Sequence, residues 1–483
     1  MSVLRELRIR HARHFTDVLV KAQDFYGGHD PSTRAALDLF DLEWSNIRDG
    51  QEYARSYAGE DDRAASACSD YADIGAHLLD LRLTPRERVE WVKVALDAAR
   101  RLGDLGAQCR HLNSLGLAQK SLGELHEAIA THESQLSISR QLGDRHTEGA
   151  ALSNLGVAYA AMNDTARAVD YYEAALPIFR EIDYLGGQGK VLNSLGLARA
   201  DSGESRQAIT YFEEARDISR RLGDRHGEGN TCANLGTAYY YLGDLRRAAD
   251  HHKEALAIFR EIGYRHGQGV ALGNLGLCYV TLGDVPGAVA CHKQSLDIAR
   301  SLGDLRGVLE TQGALCIAYV FLGEPQPVIE LSEQMLKDAR AADDTRSEGV
   351  ALDNFGRAHR LLGDLERAAE FHQQALSIFR KAHYARGEAT ALGNLGIAYY
   401  ELGDYRRAVD FCEQELAVAR AANHHTDAGR TLANLGMALW ELGERAHALA
   451  RLEEALAALE QSGDAAANTI RELLDSWHAA SAN

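Results

Sequence analysis

The chain has 483 residues, and Lys+Arg 52 against Asp+Glu 70 give a formal net charge of −18. That acidity argues against sequence-independent nucleic-acid binding, which needs a basic footprint, and against adhesion to an anionic membrane surface. The cysteines (Cys68, Cys109, Cys232, Cys278, Cys291, Cys316 and Cys412) form no CxxC pair and no metal-ligand spacing, a scattered odd set that suits reduced thiols in a cytoplasm.

The chain opens on helices. Arg5, Glu6, Arg8, Arg10 and Arg13 are mixed with apolar residues, an amphipathic pattern rather than a signal-peptide core. No run of about 18 apolar residues is read anywhere, so no transmembrane helix is expected. Two helices are expected over residues 3–26 and 32–57, joined by Gly27-Gly28-His29-Asp30-Pro31. Residues 62–81 and 85–102 read as a further pair, with Pro85 at a permissive helix start.

From there a 40-residue period takes over. It is marked by Leu115-Gly116, Leu155-Gly156, Leu195-Gly196, Leu235-Gly236, Leu275-Gly276, Leu395-Gly396 and Leu435-Gly436, with Leu315-Cys316 and Phe355-Gly356 filling the two gaps. A strict period without insertions means stacked copies of one supersecondary unit. In one copy, Leu235, Ala238, Tyr239 and Leu242 share a helix face, Gly243 ends that helix, and residues 245–262 form a second helix ended by Gly263. Turn residues recur in phase at Gly123, Asn163, Gly203, Gly243, Gly283, Gly323, Gly363, Gly403 and Gly443. A second set lies halfway: Gly103, Gly143, Asp183, Gly223, Gly263, Gly303, Asp343, His383, Asn423 and Gly463. Each copy is therefore a helix hairpin, with helices of about 17 residues and about 25 Å. Small residues such as Gly156, Ala158, Ala168 and Ala175 let the helices approach closely. Residues 465–480 read as a closing helix.

The order Leu155, Gly156, Tyr159, Ala168, Tyr172, Ala175 resembles the tetratricopeptide repeat. The repeat length is that of the long variety found in kinesin light chain, the Pins/LGN scaffolds and bacterial regulators. Arg180, Arg220 and Arg260 stand where the common form has a proline. The segment Leu42-Glu43-Trp44-Ser45-Asn46-Ile47-Arg48 is similar to one that precedes such arrays in bacterial STAND-class signalling ATPases. The resemblance implies an all-α, right-handed superhelical solenoid of about ten helix pairs. Its expected divisions are an N-terminal helical cap over 1–62, an array over 63–463 (63–102 degenerate, then nine repeats of the full period), and a C-terminal capping helix over 464–483.

The resemblance also places the first helix of each pair on the inner, concave face. Immediately before Leu-Gly stand Asn154, Asn234, Asn274, Asn354, Asn394 and Asn434, interrupted by Ser114, Ser194 and Ala314. Asparagine is a mediocre helix former, so the recurrence wants a reason. In resembling proteins this position forms a ladder that grips an extended peptide; the alternative is that each Asn bonds the neighbouring repeat and fixes the stack. Flanking inner positions that would set specificity are Arg110, Lys190, Asn230, Tyr240, Arg357, Tyr400 and Arg430. Repeat six, with Cys316, Pro325 and Pro327 and without the Asn, is expected to mark a break in curvature or the middle of the site.

Other chemistry finds little support. His132, His252, His292 and His372 recur at the large-residue place of the second helix and read as packing between repeats, not as metal ligands. No HExxH, nucleophile elbow or P-loop occurs; Gly186-Gly187-Gln188-Gly189-Lys190 has the wrong spacing. The expectation is a cytoplasmic, non-catalytic scaffold without cofactor or metal that binds a protein or extended peptide. A ligand-sensing regulator, with a peptide or a small molecule as ligand, is the alternative, and self-association at the ends of the stack stays open.

Overall fold

A computed structural model describes residues 2–26, 32–74, 79, 83–421, 425–462 and 466–481. Among the described residues there are 23 helices and no strand. The chain divides into two compact units, Met1–Leu242 and Gly243–Asn483.

The first unit begins with α1 (Ser2–Tyr26), α2 (Ser32–Tyr57), α3 (Asp62–Ile74) and α4 (Pro85–Leu102). Part of the helix expected over residues 62–81 lies outside the described residues. Tyr71 is fully buried and its hydroxyl donates to the Ala12 carbonyl at 2.8 Å, tying α3 to α1. Gly50 on α2 has to be small, because a Cβ there would collide with that hydroxyl. Trp44 stacks on Trp91 at 6.0 Å, fastening α2 to α4. Then follow α5 (Leu105–Ser121), α6 (Leu125–Leu142), α7 (Arg145–Ala161), α8 (Thr165–Glu181), α9 (Leu185–Asp201), α10 (Ser205–Leu222) and α11 (Arg225–Tyr241).

The second unit contains α12 (Leu245–Glu261), α13 (Arg265–Leu282), α14 (Val285–Leu302), α15 (Leu305–Leu322), α16 (Pro325–Ala341), α17 (Thr345–Leu361) and α18 (Leu365–Lys381). It ends with α19 (Ala385–Glu401), α20 (Tyr405–Ala421), α21 (His425–Glu441), α22 (Arg445–Ser462) and α23 (Ala466–Ser481). Trp440 on α21 stacks on Trp477 of α23 at 4.0 Å, while Ile470 and Leu474 of α23 join the core around Leu435 and Leu452.

Two residues make many of the turns, while others, such as those before Leu185 and Ser205, lack a side-chain cap. Gly143 takes φ 66°, the left-handed geometry that closes a helix, and Asp144 then accepts the Thr147 backbone N–H at 3.0 Å as the cap of the next. Gly303 (φ 66°) and Asp304, which caps through Gly307 at 2.9 Å, repeat this in the second unit. Asn163, Asp183, Asp343 and His383 take φ of 50–59° in place of glycine. Asn423 and Gly463 lie outside the described residues.

Packing explains the invariant small positions. A Cβ placed on Gly156 would lie 2.5 Å from the Tyr172 ring, the large residue of the partner helix in the same pair. His292 covers Gly276 and His372 covers Gly356 at the same distance. The in-phase histidines therefore pack within their own hairpin, not between repeats as expected. Repeat six swaps both partners at once: Cys316 replaces the glycine and Ser332 the large residue, with their polar atoms 3.8 Å apart. Arg residues near the end of second helices ion-pair forward to the next first helix, as Arg220–Glu228 at 2.7 Å and Arg380–Glu388 at 2.7 Å do.

Within each unit, first helices of successive pairs pack on one another: α5 on α7, α7 on α9 and α9 on α11 in the first unit, and α13, α15, α17, α19 and α21 in sequence in the second. The first helices thereby form a continuous row within each unit. Helix α15 is long and apolar enough by composition to cross a membrane, which the sequence reading did not anticipate. Half of it is buried, with Leu309, Leu315 and Cys316 in the repeat core, and that burial accounts for its apolar character.

Candidate ligand-binding groove

The asparagines before Leu-Gly divide into two kinds. Asn154 Nδ2 donates to Asn113 Oδ1 at 2.9 Å, and Asn234 Nδ2 donates to Asn193 Oδ1 at 2.9 Å. Asn394 Nδ2 donates to both carboxylate oxygens of Asp353, at 2.9 and 3.0 Å. Each bond joins a first helix to the first helix before it, so these three side chains clamp the stack while staying half-buried. Asn354 is 3% exposed and its Nδ2 has no partner; Gly313 stands where an acceptor would be. Asn274 lines a cavity, and Asn434 is half-buried.

Several flanking residues are already engaged. Arg110 pairs with Asp73 at 2.7 Å and Arg357 with Asp353 at 3.0 Å, so both cations are neutralised on the protein itself. Asp353 is buried among Arg357, His372 (2.7 Å) and Asn394. Burial alone would raise its pKa, but the Arg357 charge and the hydrogen bonds from His372 and Asn394 outweigh that and hold the carboxyl well below the usual range. Asn230 lies 3.2 Å from His226 Nδ1. Tyr240 and Tyr400 are half-buried, each beside a second tyrosine ring, Tyr241 at 5.8 Å and Tyr405 at 5.4 Å. Burial raises the Tyr400 hydroxyl pKa. Lys190 and Arg430 are exposed.

Sequence reasoning missed the residue directly after Leu-Gly. It stands three places beyond the ladder position, hence on the same helix face. Leu117 and Leu197 are each 43% exposed in the first unit, and Leu277 (42%) and Ile317 (38%) match them in the second. The signal was present in the sequence as a residue in phase that is apolar except at Thr237 and Arg357; among the apolar ones, Val157 packs partly on the core.

Profile models described as tetratricopeptide repeat match residues 107–181, 188–261 and 387–461, and two further models of that description match 271–306 and 350–383. The chain belongs to the tetratricopeptide repeat family. No curated protein matches it significantly. Among solved structures, this tetratricopeptide repeat protein is similar to the apo form of the quorum sensor NprR from B. thuringiensis. Identity there is 12%, over 72% of this chain and 98% of that one, with a TM-score of 0.50. BtubC from P. vanneervenii is 23% identical, covering 46% of this chain and 93% of its own, with a TM-score of 0.43. A STAND protein with a tetratricopeptide repeat sensor from Pyrococcus horikoshii is 14% identical, covering 95% of this chain and 65% of its own, with a TM-score of 0.47. At such identities the likeness is one of fold.

Several of the buried histidines and cysteines are held neutral. Burial pushes His111, His252 and His292 down to about 4. It pushes the Cys68 and Cys412 thiols up to about 12. All of the cysteines are free and buried, in line with inert packing rather than chemistry.

Proposed function

We propose that this tetratricopeptide repeat protein is a non-catalytic scaffold that holds an extended peptide or protein segment along the inner faces of its repeats. The observation that carries the reading is the pairing of hydrogen-bonding and apolar side chains on one face. Asn274 stands one turn from exposed Leu277, and Ser114 and Ser194 stand one turn from exposed Leu117 and Leu197. An amide or hydroxyl matches the alternating donors and acceptors of a peptide backbone, and the apolar row matches its side chains. The six asparagines and the flanking Arg110, Lys190, Asn230, Tyr240, Arg357, Tyr400 and Arg430 are proposed contacts on that face. Asn154, Asn234 and Asn394 would serve the stack as well. A cytoplasmic location fits the unpaired cysteines.

The second reading, a ligand-sensing regulator, is drawn from NprR, described as a quorum sensor, and from the STAND protein's sensor. In this chain it is favoured by Gly273 and Ala314, where the clamp between first helices lacks both members. The test of the scaffold is selection from a displayed library of random linear peptides, followed by hydrogen exchange on the complex. Protection should concentrate in the first helices, α5 to α11 by alternate helices and α13 to α21 likewise. Protection confined to second helices such as α14 and α18 would contradict the reading.

A further inference from the structure

At one place in the second unit the clamp between successive first helices lacks both of its members. Gly273 stands where Asn193 and Asp353 supply the acceptor elsewhere, and Ala314 stands where Asn234 and Asn394 supply the donor. With both side chains gone, a cavity of about 460 Å³ opens among α13, α14 and α15. A Cβ added at Gly273 would meet nothing closer than Ser295 Oγ at 3.8 Å, so the space there is open.

His292 lies in the wall of this cavity. It is 1% exposed, and neither ring nitrogen has a hydrogen-bond partner. At the same place in other pairs His132 Nδ1 contacts Gln135 Oε1 at 3.0 Å and His372 Nδ1 contacts Asp353 at 2.7 Å, and His252 has a bare Nδ1; among these four rings only His292 has both nitrogens bare. Burial keeps the His292 ring neutral near pH 7, with one donor and one acceptor to offer. Buried polar groups in native proteins are nearly always satisfied, so a bare imidazole on a cavity wall points to a missing partner. Asn274 and Thr311 add polar groups, and Val270 and Leu277 add apolar wall. The charges at the rim are spoken for: Asp304 caps α15, and Glu310 pairs with Arg306 at 2.8 Å. Arg306 is the one Lys or Arg among the lining residues, and His266 adds an exposed imidazole.

We propose that this cavity is the anchor pocket of the groove, taking one uncharged side chain of the bound peptide that carries a hydrogen-bonding head, a carboxamide or a phenol. The assignment rests on the peptide-binding reading above. The incoming head replaces the absent clamp: it bonds the His292 ring and the Asn274 amide, while its apolar stem packs on Leu277. The volume lies within the roughly 300–1,000 Å³ of pockets for small ligands, so a glutamine or a tyrosine side chain fits.

The test compares three proteins selected against the same displayed library of random linear peptides. They are the wild type, the double variant Gly273→Asn/Ala314→Asn, which rebuilds the clamp, and His292→Phe. The last is patterned on Phe212, which already fills the same place against Gly196. Circular dichroism and thermal melts report folding of each. Peptides selected by the wild type should share a fixed Gln, Asn or Tyr. They should bind the rebuilt variant about tenfold more weakly, the scale of one buried hydrogen-bonding group left unpaired. His292→Phe should lose the preference and accept apolar residues at that position. Should one variant fail to fold, the other decides. Unchanged preference and affinity in a folded variant, or enrichment of Asp or Glu by the wild type, overturns the pocket and leaves the scaffold standing. A wild type that selects no peptide overturns the scaffold and the pocket with it.

Discussion

Gly156 sits beneath the Tyr172 ring, with no space for one further carbon. Replacing it by Ala should cost about 1–3 kcal/mol through overpacking, read as a lower urea midpoint with an unchanged slope. The same place carries histidine in other pairs, among them His252 and His292, and His111 is buried on the first helix α5; these rings give the fold a pH dependence. His111, His252 and His292 have folded pKa values near 4, below the unfolded value near 6.5. The unfolded chain therefore binds more protons between those values, so stability is full above about pH 6.5 and falls as pH drops toward 4. Each histidine contributes up to roughly 3 kcal/mol of that loss. His252→Phe should flatten the slope by up to one proton in a urea titration repeated across that window. At this scale the need for small residues was legible from their recurrence. Their partners were not, because a Gly and its covering ring lie 16 places apart on different helices, as Gly156 and Tyr172 do. The Asn positions were legible and their chemistry only half so. Nothing in a one-letter string says that Asn193 rather than a ligand receives the Asn234 amide.

Helices here begin and end on two-residue turns, and those ends were the most legible feature of all. A left-handed Gly followed by a capping Asp is a local device that needs no tertiary context. Asp224 accepts the Gly227 backbone N–H at 2.8 Å. Asp224→Ala should cost about 1 kcal/mol, checked by thermal melting against Asp224→Asn, which keeps the acceptor and should recover most of the loss. Tertiary compensation was harder to read. Repeat six looked irregular in sequence because its glycine is Cys316. In the structure the irregularity cancels, since Ser332 supplies the space that a ring occupies elsewhere. What does not cancel in that repeat is Ala314, which together with Gly273 before it leaves the clamp open beside the bare His292.

At the scale of the whole molecule, the period allowed the fold class to be read from sequence, and the placement of binding groups came only with the structure. The reading rested on the asparagines. The structure assigns Asn154, Asn234 and Asn394 to holding the stack and reveals beside them an apolar row that carries the binding argument. The direct test of the account is the equilibrium affinity of one selected peptide for three proteins. They are the wild type, the inner-face variant Leu197→Glu/Leu277→Glu, and the control Leu142→Glu/Leu222→Glu, whose leucines are 45% and 50% exposed at the ends of second helices. All of these sites are exposed enough for the fold to tolerate a charge. The account predicts that the inner-face variant binds at least about tenfold more weakly while the control binds as the wild type does. Undiminished binding by the inner-face variant, or an equal loss in the control, would contradict it.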